Sequence, residues 1–168
     1  MRLYVGRDMS VHQVFCLRAL IRAHWSRLRS RVSESIRLVW RPHPEDRDFP
    51  IRGDEARVFE ALLHLVENAA EAVGDGPGEV AIQVDRHTLS REELGADYGI
   101  DPPEPGEFIC LSVTDDGTGM EEETRRRLFE PYFTTKFTGR GLGLAAVLGI
   151  VRSHGGAVRV SSGPGAGA

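Results

Sequence analysis

The 168-residue chain has only two cysteines, Cys16 and Cys110, and a single lysine, Lys136, among its 21 basic side chains. Two cysteines far apart in apolar stretches make no disulfide framework, so both are expected as buried thiols in a reducing compartment. No apolar run is long enough to span a bilayer, and no signal-peptide pattern follows Met1. These absences predict a chain that does not insert into a membrane and works in the cytoplasm. The net charge of -4, with arginines dispersed along the chain, leaves no basic footprint for nucleic acid. A GxxxxGK[ST] stretch is also missing, which excludes a P-loop. With 40% hydrophobic and 27% charged residues, the chain suits one globular domain over residues 1–168.

Hydrophobic periodicity predicts the elements. Residues 10–32 read as a helix capped by Ser10, with Val14, Ile21, Trp25, Leu28 and Val32 along one side. Residues 35–41 read as a strand with Ile36, Leu38 and Trp40 on one face. The best-marked element is a helix over 55–73, with Asp54 at its N-cap and Gly74 as its stop. Val58, Leu62, Leu65, Val66, Ala69 and Val73 form its apolar stripe, opposite Glu60, Glu67 and Glu71. His64 and Asn68 sit one turn apart at the border of that stripe, placed to reach into a pocket. Strands alternate over 79–85 and 107–114, and the Pro- and Gly-rich stretch 86–106 between them reads as an excursion from the core. Glu121, Glu122 and Glu123 each precede an arginine by four residues, which supports a short exposed helix. A buried helix over 142–153 and a strand around Val158 and Val160 complete the pattern.

Two glycine-rich turns lie close together: Asp115-Asp116-Gly117-Thr118-Gly119 and Gly139-Arg140-Gly141-Leu142-Gly143. Each lets backbone approach a ligand closely, which points to a phosphate-rich ligand held from two sides. The second follows no predicted strand and lacks GxGxxG spacing, which argues against a dinucleotide fold. It opens a helix, and the free N–H groups of Leu142 to Leu144 can take phosphate oxygens.

The set HLVENAAEA around Asn68, DDGTG at 115–119, LFEPYFTTK at 128–136 and GRGLGL at 139–144 resembles four ordered boxes of the ATP-binding catalytic domain of sensor histidine kinases. That family lies within the ATPase superfamily of gyrase B, Hsp90 and MutL. The resemblance implies a two-layer α/β sandwich: a mixed, mostly antiparallel sheet, helices on one face, and a mobile ATP lid over about 120–141. It implies ATP and Mg²⁺ as cofactors. Asn68 would ligate the Mg²⁺, Asp115 would accept from the adenine amino group, and Gly117 and Gly119 would let backbone pass the base. Gly141, Leu142, Gly143 and Leu144 would face the phosphates together with His64. Thr134, Thr135, Lys136 and Arg140 would neutralise phosphate charge from the lid, with Asn68, Lys136 and Arg140 acting in catalysis.

The chain departs from the pattern in three places. His64 stands where the family often has Asn. Ala168 stands where Thr precedes a further strand, so either the sequence is cut short or an adenine contact and an edge strand are missing. None of His12, His24, His43, His64, His87 and His154 has the context of a phosphoacceptor. The expected activity is therefore the catalytic half of a protein-histidine kinase, inactive alone in autophosphorylation. Its partners would be dimerisation helices of the same parent protein or another chain, and a downstream response-regulator receiver domain. The rival is a non-catalytic nucleotide-gated or partner-switching module of the same fold. A gyrase-type ATPase is disfavoured, because position 64 is not the carboxylate such enzymes use to activate water.

Overall fold

The structure is a computed structural model that describes residues 1–5, 13–41, 48–95, 103–133 and 142–168. The principal sheet is built from β1 (Arg2–Val5), β3 (Ile36–Arg41), β5 (Gly78–Leu89), β6 (Gly106–Asp115) and β7 (Ala157–Arg159), in the order β3-β5-β6-β1-β7. Only the β3–β5 pair is parallel; β5–β6, β6–β1 and β1–β7 are antiparallel. A separate antiparallel ribbon joins β2 (Gln13–Cys16) to β4 (Pro50–Gly53). The layered, mostly antiparallel architecture is the one expected.

The central helix α3 (Glu55–Val73) has the predicted limits, because its capping chemistry is local. The Asp54 carboxylate accepts from the Arg57 N–H at 3.1 Å, and Gly74 closes the helix with φ +81°. Its face of Val58, Leu62, Leu65, Val66 and Ala69 is buried. That face packs with Ile82, Val84, Leu111 and Val113 of the sheet and with Val147, Ile150 and Val151 of α6 (Gly143–Ser153) in one continuous core. Burying a large aliphatic side chain contributes about 1.5–3 kcal/mol. This helix-sheet-helix contact is therefore the main stabilising unit.

The helix expected over 10–32 is a correction. Residues 13–16 are strand β2, followed by α1 (Leu17–Ala23) and α2 (Trp25–Arg29), while Ser10 lies outside the described residues. The backbone of Val14 and Phe15 pairs with Arg52 and Ile51, and the Leu17 N–H donates to Phe49 O. Pairing with a strand from elsewhere in the chain thus overrides the local helical pattern. Val14 is consequently 63% exposed, whereas Ile21, Leu28 and Val32 are buried as expected. His24 both ends α1, with its N–H donating to Leu20 O, and opens α2, with its carbonyl accepting from the Leu28 N–H.

The excursion after residue 85 begins later than the alternation suggests. β5 runs on to Leu89, paired through His87↔Phe108 and Leu89↔Gly106. Short helix α4 (Arg91–Gly95) then returns to the far face of the sheet. There Leu89, Leu94, Phe108, Cys110 and Ala157 form a second small core. Cys110 is buried and Cys16 half-buried, and neither is in a disulfide. In α5 (Glu122–Arg127) the Glu122–Arg126 pair is present, but Arg125 also reaches Glu122, and Arg127 pairs with Glu130 instead of Glu123. None of the helices among the described residues is long and apolar enough to cross a membrane.

Candidate functional site

Asp115 ends β6 on the face of Ile109, Leu111 and Val113, so strand alternation aims its carboxyl at the helical layer. Its Oδ1 accepts from the Gly117 N–H at 3.0 Å, which folds the glycine turn around it. Burial raises the Asp115 carboxyl above its ordinary range, opposed by that Gly117 N–H. The adjacent Asp116 has a different task, accepting from the Glu79 N–H at 2.8 Å and tying the turn to the start of β5.

The turn is gripped from both sides. Gly117 lies against the last turn of α3, where a Cβ would collide with the Ala72 carbonyl, and the Thr118 N–H donates to Ala72 O at 3.1 Å. Gly119 has φ +66°, and a Cβ there would strike Gly163 O. The Gly165 N–H donates to Thr118 O at 2.7 Å, and the Asp115 N–H donates to Ala168 O at 3.0 Å.

Helix α6 meets α3 at its other border. Its N-cap, Leu142, makes no side-chain capping bond, so the first N–H groups of the helix are left for another acceptor. A Cβ on Gly143 would lie 3.4 Å from His64 Nδ1 and 3.7 Å from Asn68 Nδ2. The helix N-terminus therefore stands directly beside those two side chains. Glu67 lies 3.6 Å from His64 Nδ1 and 3.1 Å from the guanidinium of Arg31 in the turn after α2.

These parts enclose one cavity of about 480 Å³, which His64, Asn68, Asp115, Gly119, Leu142, Gly143 and Leu144 all line. Seven of the anticipated residues are thus brought together. Gly117 is not on the wall; its close approach is to α3. Thr134, Thr135, Lys136, Arg140 and Gly141 lie outside the described residues, as does the 134–141 part of the expected lid. The structure adds wall residues the sequence reading did not single out, among them Met1, Val113, Met120 and Phe133, and it places Ala168 on the same wall. Val113 could have been found from period-two alternation with Asp115. Met1 carries no such signal. A larger depression of about 890 Å³, between α1 and the start of α3, is lined by residues such as His24, Arg27, Asp54 and Phe59 and contains none of the four boxes.

A carboxylate at one end and an uncapped helix N-terminus at the other fit a ligand with a hydrogen-bonding base and anionic oxygens. The family described as histidine kinase-, DNA gyrase B-, and HSP90-like ATPase matches residues 53–168, and the chain belongs to it. Nitrogen regulation protein NtrY of Azorhizobium caulinodans is 40% identical over 115 residues, which is 68% of this chain and 13% of that protein. Sensory histidine kinase/phosphatase NtrB of Azospirillum brasilense is 34% identical over 116 residues, 68% of this chain and 28% of that protein. Among solved structures, the mycobacterial sensor histidine kinase MprB superposes with a TM-score of 0.63 at 27% identity, covering 86% of this chain and 81% of that one. The chain spans less than a third of either curated relative. Fold and family are therefore those expected from the four boxes, and NtrB and MprB are both named as histidine kinases.

Proposed function

We propose that this chain is the ATP-binding catalytic part of a two-component sensor histidine kinase. It would transfer the γ-phosphoryl group of ATP to a histidine on a dimerisation helix outside this chain. The observation that carries the reading is the single cavity with Asp115 at one end and the α6 N-terminus, beside His64 and Asn68, at the other. Asp115 accepts from the adenine amino group. The N–H groups of Gly143 and Leu144 and the positive end of α6 hold phosphate oxygens.

The donor set fits Mg²⁺ held through a substrate. Among the described residues no three His, Cys, Asp or Glu side chains cluster as a cage. A lone carboxamide oxygen on Asn68 suits a hard cation that keeps waters and phosphate oxygens as its other ligands. When bound, Mg²⁺ neutralises charge on the phosphates. Asn68 positions, His64 offers a ring nitrogen on the phosphate side, and Glu67 and Arg31 orient that ring's neighbourhood. Lys136 and Arg140, with Thr134 and Thr135, would neutralise phosphate charge during transfer. Such transfer needs mainly alignment and neutralisation, and the nucleophile and its activating acid come from the partner helix. A receiver domain would take the phosphoryl group onward.

The test mixes the chain with radiolabelled ATP, Mg²⁺ and a helical-hairpin fragment carrying an acceptor histidine. Acid-labile label on the hairpin is expected, and its loss in Asn68→Ala. Tight nucleotide binding with no label on any hairpin would contradict the kinase reading.

A further inference from the structure

Strand β1 has no place in the four boxes, yet it stands in the middle of the sheet. It pairs antiparallel with β6 through Arg2↔Ser112 to Val5↔Ile109, and with β7 through Arg2↔Arg159 to Tyr4↔Ala157. In the sheet order of the described residues, β7 is attached to the rest only through β1. The ladder runs on past the strand: the Val113 N–H donates to Met1 O at 2.8 Å, and the Asp115 N–H donates to Ala168 O at 3.0 Å. Along one edge of β6 the first residues of the chain and its last residue therefore stand in succession, two residues apart, ending beside the carboxylate. Met1 and Ala168 both line the cavity with Asp115. The Met1 side chain packs on the main core.

Resting on the nucleotide reading above, we propose that β1 is part of the nucleotide site. Docking of residues 1–5 between β6 and β7 builds the wall at the base and fixes the end of β6 that carries Asp115. Docking and nucleotide binding then favour each other. A base seated against Asp115 and Met1 is lost from the pocket when β1 leaves. Nucleotide bound there must by reciprocity hold β1 in place by the same factor. A strand bonded on both sides leaves unpaired backbone groups on β6 and β7 when displaced, so the two states are discrete.

Hydrogen exchange on the whole chain, with and without Mg²⁺ and a non-hydrolysable ATP analogue, tests this. Amides of residues 2–5 and 157–159 should slow by about tenfold, within the usual range of coupling between sites. Leu3→Pro removes a ladder N–H from a central strand. It should weaken analogue binding by about tenfold, while exchange in α3 and β5 stays as in the unaltered chain. If the analogue protects α3 and the end of β6 but leaves residues 2–5 unchanged, the proposal is overturned and the nucleotide site stands. Leu3→Pro binding within twofold of the unaltered chain overturns it equally. If the unaltered chain binds no analogue at all, the site reading fails first. The exchange measurement decides the matter even where Leu3→Pro does not fold.

Discussion

The imidazole Nε2 of His154 accepts a hydrogen bond from the backbone N–H of Asp54 at 3.0 Å. His154 is the C-cap of α6, and Asp54 is the N-cap of α3. The ring's Nδ1 lies 2.7 Å from Ile150 O, so a neutral ring that donates from Nδ1 and accepts at Nε2 satisfies both partners. The two helices that bring His64 and Asn68 to the α6 N-terminus are thus tied together at their opposite ends.

Removing that tie should loosen the pair. His154→Ala leaves the Asp54 N–H without its acceptor and is expected to cost about 1–3 kcal/mol in urea unfolding. Gly53 has room only for hydrogen, since a Cβ there would lie 2.5 Å from His154 Cδ2. Gly53→Ala should therefore destabilise the chain strongly, but much less in the His154→Ala background. Additive costs in the double mutant would show that the two positions do not share the contact.

Asp115 should set a pH signature in the absence of ligand. Burial raises its folded-state pKa above the unfolded value, so the folded chain holds that proton more tightly. Its stabilising contribution is full below the unfolded pKa and is lost as pH rises through the raised folded value. Asp115→Asn has no such titration and keeps an acceptor oxygen for the Gly117 N–H. Its stability relative to the unaltered chain should therefore climb between about pH 3.5 and neutrality. A pH-independent difference in urea unfolding would contradict this.

Asn68 lines the cavity from the surface of a well-capped helix, and alanine is the better helix former. Asn68→Ala should leave the unfolding midpoint nearly unchanged while weakening Mg-ATP binding by tenfold or more. Binding of ATP with the metal chelated should change little. Equal losses with and without Mg²⁺ would show that the side chain acts on the nucleotide and not on the metal.

How much of this could be read from the sequence depends on how local each signal is. Helix α3 carries its own start, stop and apolar face, and it was legible to the residue. The Asp115 end of β6 followed from alternation and the glycine turn. Strands β1 and β2 are four residues each, and their partners lie far off in the chain: Leu3 pairs with Leu111 and Val158, and Val14 with Arg52. Nothing in their own composition announces that pairing. The same non-locality hid Met1 from the site and made residues 13–16 look like the start of a helix. Gly117 was legible as a close-approach glycine, but sequence could not show that it approaches Ala72 and not the cavity.

The central claim is that one cavity holds the base at Asp115 and the phosphates at the head of α6. Calorimetric titration of the chain with Mg-ATP, alongside Asp115→Ala, measures it most directly. The unaltered chain should bind one ATP and discriminate against nucleotides whose base lacks the adenine amino group. Asp115→Ala should lose about tenfold or more in ATP affinity, the worth of a hydrogen bond to a charged group, and lose the discrimination with it. Undiminished, equally selective ATP binding by a folded Asp115→Ala chain would place the base elsewhere and contradict the account.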